Sequence, residues 1–447
     1  MGVVRYLNDK LVNLVANLGT GRDKASHNQF DMPFITDQEL VNAYRGSWMA
    51  RKGVEILPFD ATREWRAWQA DSKQIQAIEA EEKRLNVQNK VKEAMTKARL
   101  FGGAAIFIGT GDRDLSLRLD PERVQAGGIK YLNVMSKRQL TPGDTETDPQ
   151  SEYFDKPKWY IPTGSPQLRI HPSRVIVFIG APYPDNELLG VQDRGWGDSI
   201  LLAASNTVKQ SESVDANVAS MVFEAKVDVV KIPNFMEQMD DQEYRNRVLQ
   251  RLSLAATGKG INGMLMLDKE EDYETKSASF SNLPDIMDRF DQKVCGAFDV
   301  PAVRFLGQSP AGLSSSGESD LRNYYDHVRA LQKLGLSQTL SIFDECLIRS
   351  ALGSRPTEIY YDWRILWQPT AAERATIGKT VADTIKTLSD TQLFNQEALS
   401  KAATTTLVEG NVLPGLEAAI EEFGTEVEPE DPEEPPVTGA PDAPVEE

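Results

Sequence analysis

The stretch from Phe298 to Asp320 limits the fold of this chain more than any other. Asp299-Val300-Pro301 closes one amphipathic helical pattern, because the residue before a proline is pushed out of the α region. A second helical pattern begins after Ser315, which stands at capping-box spacing from Glu318. Between them, Gly307-Gln308-Ser309-Pro310-Ala311-Gly312-Leu313 and Ser314-Ser315-Ser316-Gly317 carry small and hydroxylated side chains, with no catalytic grouping. The glycines free the backbone and the serines stay polar, so this connection is built to move or slide between two fixed helices.

Amphipathic helical patterns flank it on both sides. Asn282-Leu283-Pro284-Asp285 opens the first, with Pro284 in the first turn, where a missing N–H costs little. Its apolar face is Ile286, Met287, Phe290, Val294 and Phe298. After the loop, Leu321, Tyr324, Tyr325, Val328 and Leu331 recur at three and four. Upstream, Asp198 and Ser199 are placed to cap a helix running to about Ala225, with Ile200, Ala204, Val208, Val218 and Val222 on one side. Ser211 and Asp215 interrupt that stripe, so the helix is expected to pack against copies of itself or a neighbour rather than inside a monomer core. A compact insert separates these helices. It holds a strand over Lys226–Ile232, a helix over Asp241–Ala256, a Gly258-Lys259-Gly260 turn and a strand at Met264–Leu267.

The first two hundred residues mix helix and strand. Residues 1–35 read as a flexible arm, polar and irregular over 20–35. Thr36 and Glu39 form a capping-box pattern, and Val54-Glu55-Ile56-Leu57-Pro58 is expected to break the helix that follows. A single long, solvated, charged helix is predicted over Ser72–Leu100. Ala104–Gly109 and Arg174–Ile179 are apolar runs that suit buried strands. Trp65 and Trp68 read as core and interface packing. Glu358–Trp367 reads as a strand, and Thr370 with Glu373 opens a last helical region carrying Ile377, Val381, Ile385 and Leu388. The fold class is α+β.

At 447 residues, with 40% hydrophobic and 26% charged residues, the chain is long enough for a large core in two or three subdomains. No apolar run approaches the roughly 20 residues that span a bilayer, so no membrane partner is expected. Cys295 and Cys346 sit in separate helical patterns and read as reduced core thiols. The net charge is −18, but Glu421–Glu447 contributes eleven acidic residues and no basic one, leaving −7 on the rest. The tail past Thr425 is Pro- and Glu-rich and reads as a solubilising, partner-binding or nucleic-acid-mimicking segment. Clustered Lys and Arg of the kind that reads a DNA sequence are missing, though a wall that lets DNA slide should itself avoid deep electrostatic wells.

Enzymatic patterns fail in turn. Gly378-Lys379-Thr380 has the ending of a phosphate-binding loop, but Glu373 stands where the leading glycine belongs. Gly258-Lys259-Gly260 lacks the hydroxyl. Gly109-Thr110-Gly111-Asp112 reads as a hairpin turn. His27, His171 and His327 offer no zinc spacing, so neither metal nor cofactor is expected. His171-Pro172-Ser173 matches one half of the His-x-Ser/Thr pair of two-histidine phosphoesterases, but His27-Asn28-Gln29 and His327-Val328-Arg329 do not supply the other half. A nucleotide phosphoesterase built on His171 is the competing enzymatic reading; a turn residue before a strand is the simpler one.

The order of these segments, with Arg51-Lys52-Gly53-Val54, Pro58-Phe59-Asp60-Ala61-Thr62-Arg63-Glu64-Trp65, Gly195-Trp196-Gly197-Asp198-Ser199 and Phe298–Tyr325, resembles the portal proteins of tailed double-stranded DNA bacteriophages. The likeness covers roughly residues 36–400 and points to one family first known only as a phage domain of unknown function. It implies a wing over 36–197, a first stem helix over 198–232, a clip over 233–280 and a second stem helix over 281–305. A tunnel loop at 306–317, a wing return at 318–368, a small helical crown at 369–424 and the acidic tail at 425–447 would follow. It further implies no enzymatic activity, but a ring at one capsid vertex, usually of twelve copies, assembled in the bacterial cytoplasm and retained in the virion. The implied partners are the large terminase subunit, the major capsid and scaffolding proteins, a head-completion adaptor, and double-stranded DNA without sequence preference. Gln308, Ser309, Ser314, Ser315 and Ser316 would face the DNA. Arg304 and Arg322, flanking the loop, are within reach of either phosphate or carboxylates of the next subunit. Arg245, Arg247, Arg251 and Lys259 would serve docking on the clip. Another head–tail connector component is the remaining structural alternative, and such proteins are generally far shorter.

Overall fold

The computed structural model describes residues 35–184, 195–223, 226–231, 241–258, 272–277, 280–307, 317–367, 371–391, 394–409 and 419–420. They fall into two units, divided between Leu366 and Trp367.

The first unit opens on α1 (Asp37–Gly46), whose capping box forms as its sequence predicts: Thr36 Oγ1 accepts from Glu39 N, and the Glu39 carboxylate accepts from Thr36 N at 2.8 Å. Ser47 caps α2 (Trp48–Arg63) by accepting from Ala50 N. The break expected at Pro58 does not occur; α2 runs straight through it. Proline removes the N–H that would bond the carbonyl of Val54. Arg99 supplies the missing donor, with Nε 3.3 Å from Val54 O and Nη2 3.0 Å from Gly53 O. Burial lowers the Arg99 pKa to about 10, so the guanidinium is still charged at neutral pH.

Arg66 to Gln69 forms β1, followed by α3 (Ser72–Leu85) and α4 (Val87–Phe101). The single long helix expected here is two. Asn86 adopts a left-handed conformation (φ 53°, ψ 43°), which asparagine tolerates better than most residues. The turn re-phases the chain so that Val87, Val91, Ala94, Met95 and Ala98 all face the core. The charged run keeps the expected solvated face, with Lys73, Glu79, Lys83 and Arg84 of α3 exposed, although Glu81 and Glu82 of the same helix are buried.

α4 packs on a three-stranded antiparallel sheet ordered β3-β2-β6, with β2 (Gly103–Gly109) between β3 (Tyr131–Ser136) and β6 (Val175–Ile179). Ile106 lies opposite Val134 on one side and Ile176 on the other. Both faces of β2 are covered: Ala104, Ile106 and Ile108 join the main core, while Ala105 and Phe107 join a second cluster with Leu140, Tyr160, Ile170, Val175 and Trp196. That double burial explains why its sequence is an unbroken apolar run. The expected hairpin turn at Gly109–Asp112 is instead the start of a long connection, since β3 begins only at Tyr131. A small ribbon, β4 (Leu140–Pro142) with β5 (Tyr160–Pro162), flanks the second cluster. Gly102 (φ 92°) makes the tightest crossing; a Cβ there would lie 2.1 Å from Gly197 O.

The chain then enters α5 (Ile200–Phe223), with Ser199 Oγ accepting from Leu201 N. Leu201, Ala204, Val208 and Ser211 are buried, while Met221 and Val222 near its end are exposed. β7 (Lys226–Lys231) pairs antiparallel with β8 (Asp272–Ser277), and α6 (Gln242–Gly258) lies between them in sequence. The expected strand at Met264–Leu267 falls outside the described residues. β8 is largely polar, so hydrophobic patterning gave no sign of it.

α7 (Leu283–Ala297) packs along α5, and a short helical turn, α8 (Ala302–Phe305), follows. Then α9 (Glu318–Ala330), a π-helical turn (Leu331–Leu336) and α10 (Ser337–Leu352) form one continuous rod. The N-cap of α9 is Gly317 (φ 60°), which places Glu318 at the first helical position rather than at the third position a Ser315 cap requires. β9 (Tyr360–Trp363), shorter than the strand expected at 358–367, pairs antiparallel with β1 and joins the end of the unit to its beginning. The buried Arg66 side chain on β1 pairs with Glu82 of α3 and Asp344 of α10, beneath the rings of Trp65, Trp68 and Tyr361. Trp68 is buried and Trp65 packs edge-on against Trp363, so both tryptophans are packing residues, as expected. In the second unit, α11 (Ala371–Thr391) packs against α12 (Gln396–Glu409). Thr370, the cap expected for α11, lies outside the described residues.

Two measurements test this packing. Gly53 faces Phe298, and a Cβ at that position would sit 2.3 Å from the ring. Gly53→Ala should therefore lower unfolding free energy by about 1–3 kcal/mol in a urea titration. Cys295 and Cys346 are buried free thiols, pushed up by burial to about 11 and about 12. A disulfide reagent at pH 8 should label neither in the native protein and both after unfolding.

Candidate functional site: a loop held at both ends

α7 ends abruptly. The N–H of Phe298 bonds back into the last turn, Asp299 takes φ 57°, and Val300 N returns to Cys295 O at 3.1 Å. Pro301 then starts α8, whose Phe305 is fully buried and stacks on Phe298 with ring centroids 5.7 Å apart. Trp48 packs against the other side of Phe305, and Lys52 Nζ lies 5.7 Å from its ring centre. Aromatic packing thus fixes the outgoing end of the loop against α2.

A single carboxylate ties that end to the returning one. Asp60 on α2 is completely buried and accepts Arg304 Nε at 3.0 Å and Nη2 at 2.8 Å, a two-pronged pair. Tyr324 on α9 donates its hydroxyl to the same carboxylate at 3.0 Å, and Arg63 Nε lies 3.9 Å away. Arg304 precedes the loop and Tyr324 follows it, so residues 305–323 leave from and return to one buried charge. Burial, then Asp60, raises the Tyr324 pKa far above the ordinary phenol range, so the hydroxyl remains a donor. The hydrogen bond to Asp60 raises the Arg304 pKa.

These contacts change how the expected residues are read. Arg304, expected to meet phosphate or the next subunit's carboxylates, has its partner within its own chain. Arg322 is exposed and pairs with Glu318 one turn away at 2.7 Å. Gln308, Ser309, Ser314, Ser315 and Ser316 lie outside the described residues, as does Lys259. Arg245 and Arg247 are exposed on α6, Arg245 donating to Gln242 Oε1 at 2.7 Å, and Arg251 lies on the same helix. Pattern reading missed Asp60 and Tyr324 as anchors. The available signal was an aspartate in the same helical phase as Gly53 and Ile56, where only a compensated charge is tolerated.

α5 and α7 meet through a polar contact. Ser211 on α5 is fully buried and donates to Asp291 Oδ1 of α7 at 2.6 Å. Burial, together with Asp291 and Glu212, raises the Asp215 pKa. Ser211, one of the residues that interrupt the apolar stripe, is therefore bonded across to α7.

His171 shows how little enzymatic geometry is present. Its Nδ1 accepts from Ser173 N at 3.2 Å and lies 2.8 Å from Ser173 Oγ, capping the turn before β6. Burial, then Arg118 and Arg174, lowers its pKa and favours the neutral ring. His327 is exposed on α9, with Nε2 3.8 Å from Asp299. His27 lies outside the described residues. Among the described residues no group of three or more His, Cys, Asp or Glu could hold a metal, and no helix is long and apolar enough to cross a membrane.

The model of the phage portal protein family matches residues 38–387, which include α1 to α10 and both anchors of the loop. The chain belongs to that family. This portal-family chain is 41% identical over 434 residues to a protein of Caulobacter sp. (strain RHG1), covering 93% of this chain and 69% of the relative. It is 34% identical over 451 residues to one of Sphingomonas paeninsulae, covering 99% of this chain and 72% of the relative. Both relatives bear the name anti-CBASS protein Acb1. Among solved structures, a chain in the neck of an empty gene transfer agent particle aligns over 89% of this chain and 98% of its own length, with 14% identity and a TM-score of 0.49. The portal family is structural rather than enzymatic, which agrees with the capping role of His171.

Exchanging the anchor tests the clamp. Asp60→Asn keeps the volume but leaves the Arg304 guanidinium without its carboxylate, and should cost about 3–5 kcal/mol. Tyr324→Phe should cost about 0.5–1.5 kcal/mol, and the double variant less than the sum. Tryptic cleavage after Arg304 should accelerate in Asp60→Asn under native conditions; an unchanged rate would mean that Asp60 does not hold the loop.

Proposed function

We propose that the protein is the portal of a tailed double-stranded DNA bacteriophage: a ring, usually of twelve copies, at one capsid vertex of the virion. DNA would be driven in through it by a separate terminase motor during assembly in the bacterial cytoplasm and would leave by the same route. The observation that carries this reading is the clamped loop. Asp60 holds both flanks, which gives a slack, glycine- and serine-rich segment a rigid base, as a part touching a sliding polymer requires. Weak hydroxyl contacts from Gln308, Ser309, Ser314, Ser315 and Ser316 would guide the duplex without gripping it. Arg304 acts as the loop's anchor in this scheme, and Arg322 as the basic residue nearest the passage.

The remaining segments take roles accordingly. Residues 36–197 and 318–368 form the wing, 198–232 and 281–305 the stem, and 306–317 the tunnel loop. Residues 233–280 form the clip, where Arg245, Arg247, Arg251 and Lys259 meet terminase and later the head-completion adaptor. Residues 369–424 form the crown, next to capsid and scaffold in assembly order, and 425–447 an acidic tail. The exposed end of α5, with Met221 and Val222 open to solvent, supports the ring, because those apolar side chains find cover only on another copy. The anti-CBASS name of the longer relatives would imply a second activity, but His171 spends its ring nitrogen on a turn, and we carry no such activity over.

Replacing Gly307–Gly317 with a shortened, rigid loop should leave annular particles intact by negative-stain microscopy. It should abolish nuclease-protected DNA in assembled heads. Loss of the annuli themselves would mean that this segment builds the ring rather than guiding the DNA.

A further inference from the structure

An open cavity of about 550 Å³ lies away from the loop, between the connection following β2 and the end of α10. It is lined by Arg118, Asp120, Pro121, Glu122, Arg123, Glu345 and Arg349. Most of its charges are matched internally. Arg118 pairs with Glu152 at 2.7 Å, Arg123 with Asp120 at 3.3 Å, and Glu345 with Arg355 at 3.2 Å. Arg349 differs. Its side chain makes no hydrogen bond or ion pair among the described residues, and its Nε is buried without an acceptor.

Arginine retained half-buried without a carboxylate is an expensive arrangement unless something supplies the acceptor. The surroundings favour a protein surface over a small anion. Ile342, Glu345 and Arg349 follow one another on one face of α10, and Ile342 is 42% exposed. Leu117, 61% exposed, precedes Arg118 in sequence. A half-buried arginine beside exposed apolar area on the same helix face, with neighbouring charges already paired, is the usual anatomy of a docking anchor. We infer that Arg349 and this ridge receive a carboxylate side chain from a second copy of the chain. This deepens, and rests on, the ring reading.

Charge and symmetry support that occupant. With 67 acidic against 49 basic residues, another copy offers carboxylates in excess. A head-to-tail ring joins two unlike patches, so an arginine in one subunit is completed by an acid in the next and stays unmatched within its own chain.

The test uses the full chain. Arg349→Glu should require about tenfold or more protein to reach the wild-type proportion of multi-subunit particles by mass photometry, because the new charge repels the incoming carboxylate. Arg349→Lys should recover most of the assembly, and circular dichroism melts should be unchanged for both variants, since the side chain makes no hydrogen bond or ion pair among the described residues. Raising salt should weaken wild-type assembly more than that of Arg349→Ala. If Arg349→Glu assembles at wild-type concentrations, the cavity is not an interface, though the ring reading stands. If wild-type protein stays single at every concentration, both fall.

Discussion

A buried carboxylate organises the centre of this molecule. Asp60 has no solvent to stabilise its charge, so it is tolerable only while Arg304, Arg63 and Tyr324 surround it. Each partner comes from a different place in the chain, and two of them bracket the loop. The requirement to satisfy one charge therefore brings α2, α8 and α9 together. Arg66 does the same with the signs reversed, drawing Glu82 and Asp344 to β1 under a roof of aromatic rings. These pairs add little net stability over an apolar core, but losing one partner is costly. They specify arrangement more than they supply energy.

Both devices answer to the same geometric problem. The chain must carry a segment rich in small residues and a thinly apolar helix without letting either disturb the interior. Phe298 and Phe305 stack where the helix stops and the loop begins, and Gly53 leaves just enough room for the first ring. Arg99 repairs the helix that supports them, replacing the donor that Pro58 removed. Ser211 and Asp291 register α5 on α7 by a directed bond where apolar packing is too thin to do so. Rigidity is concentrated around the loop, and the surfaces left uncovered, from Met221 to Leu334, face outward.

Helical periodicity made α1, α5, α6, α7 and α9 legible, and the doubly apolar runs made β2 and β6 legible, because each of these depends on neighbours three or four residues away or on burial of a whole strand. Local rules failed where a distant group intervened. Pro58 should have ended α2, yet Arg99, far along the chain, meets the stranded carbonyl. Asn86 divided an apparently continuous helix because the core asked for a different phase on its far side. β8 carries no apolar signature, since its order comes from the ladder with β7. In the candidate site, the slack loop was plain from its glycines and serines. Its anchoring was not, because an aspartate in a helix says nothing of an arginine and a tyrosine more than two hundred residues on.

The amino-acid sequence alone showed amphipathic helical patterns on either side of a small-residue segment, a thin apolar stripe on the helix starting at Ile200, an acidic stretch over 421–447 without counter-charge, and no complete motif for nucleotide or metal chemistry. These follow from composition and short-range spacing, which need no folded partner to be read. Only the tertiary structure decided that Arg304 is occupied by Asp60, that His171 is a cap, and that Arg349 meets no acid among the described residues. Whether a charge is matched depends on what lies within about 4 Å in space, and in a folded chain that distance is set by packing rather than by order along the backbone.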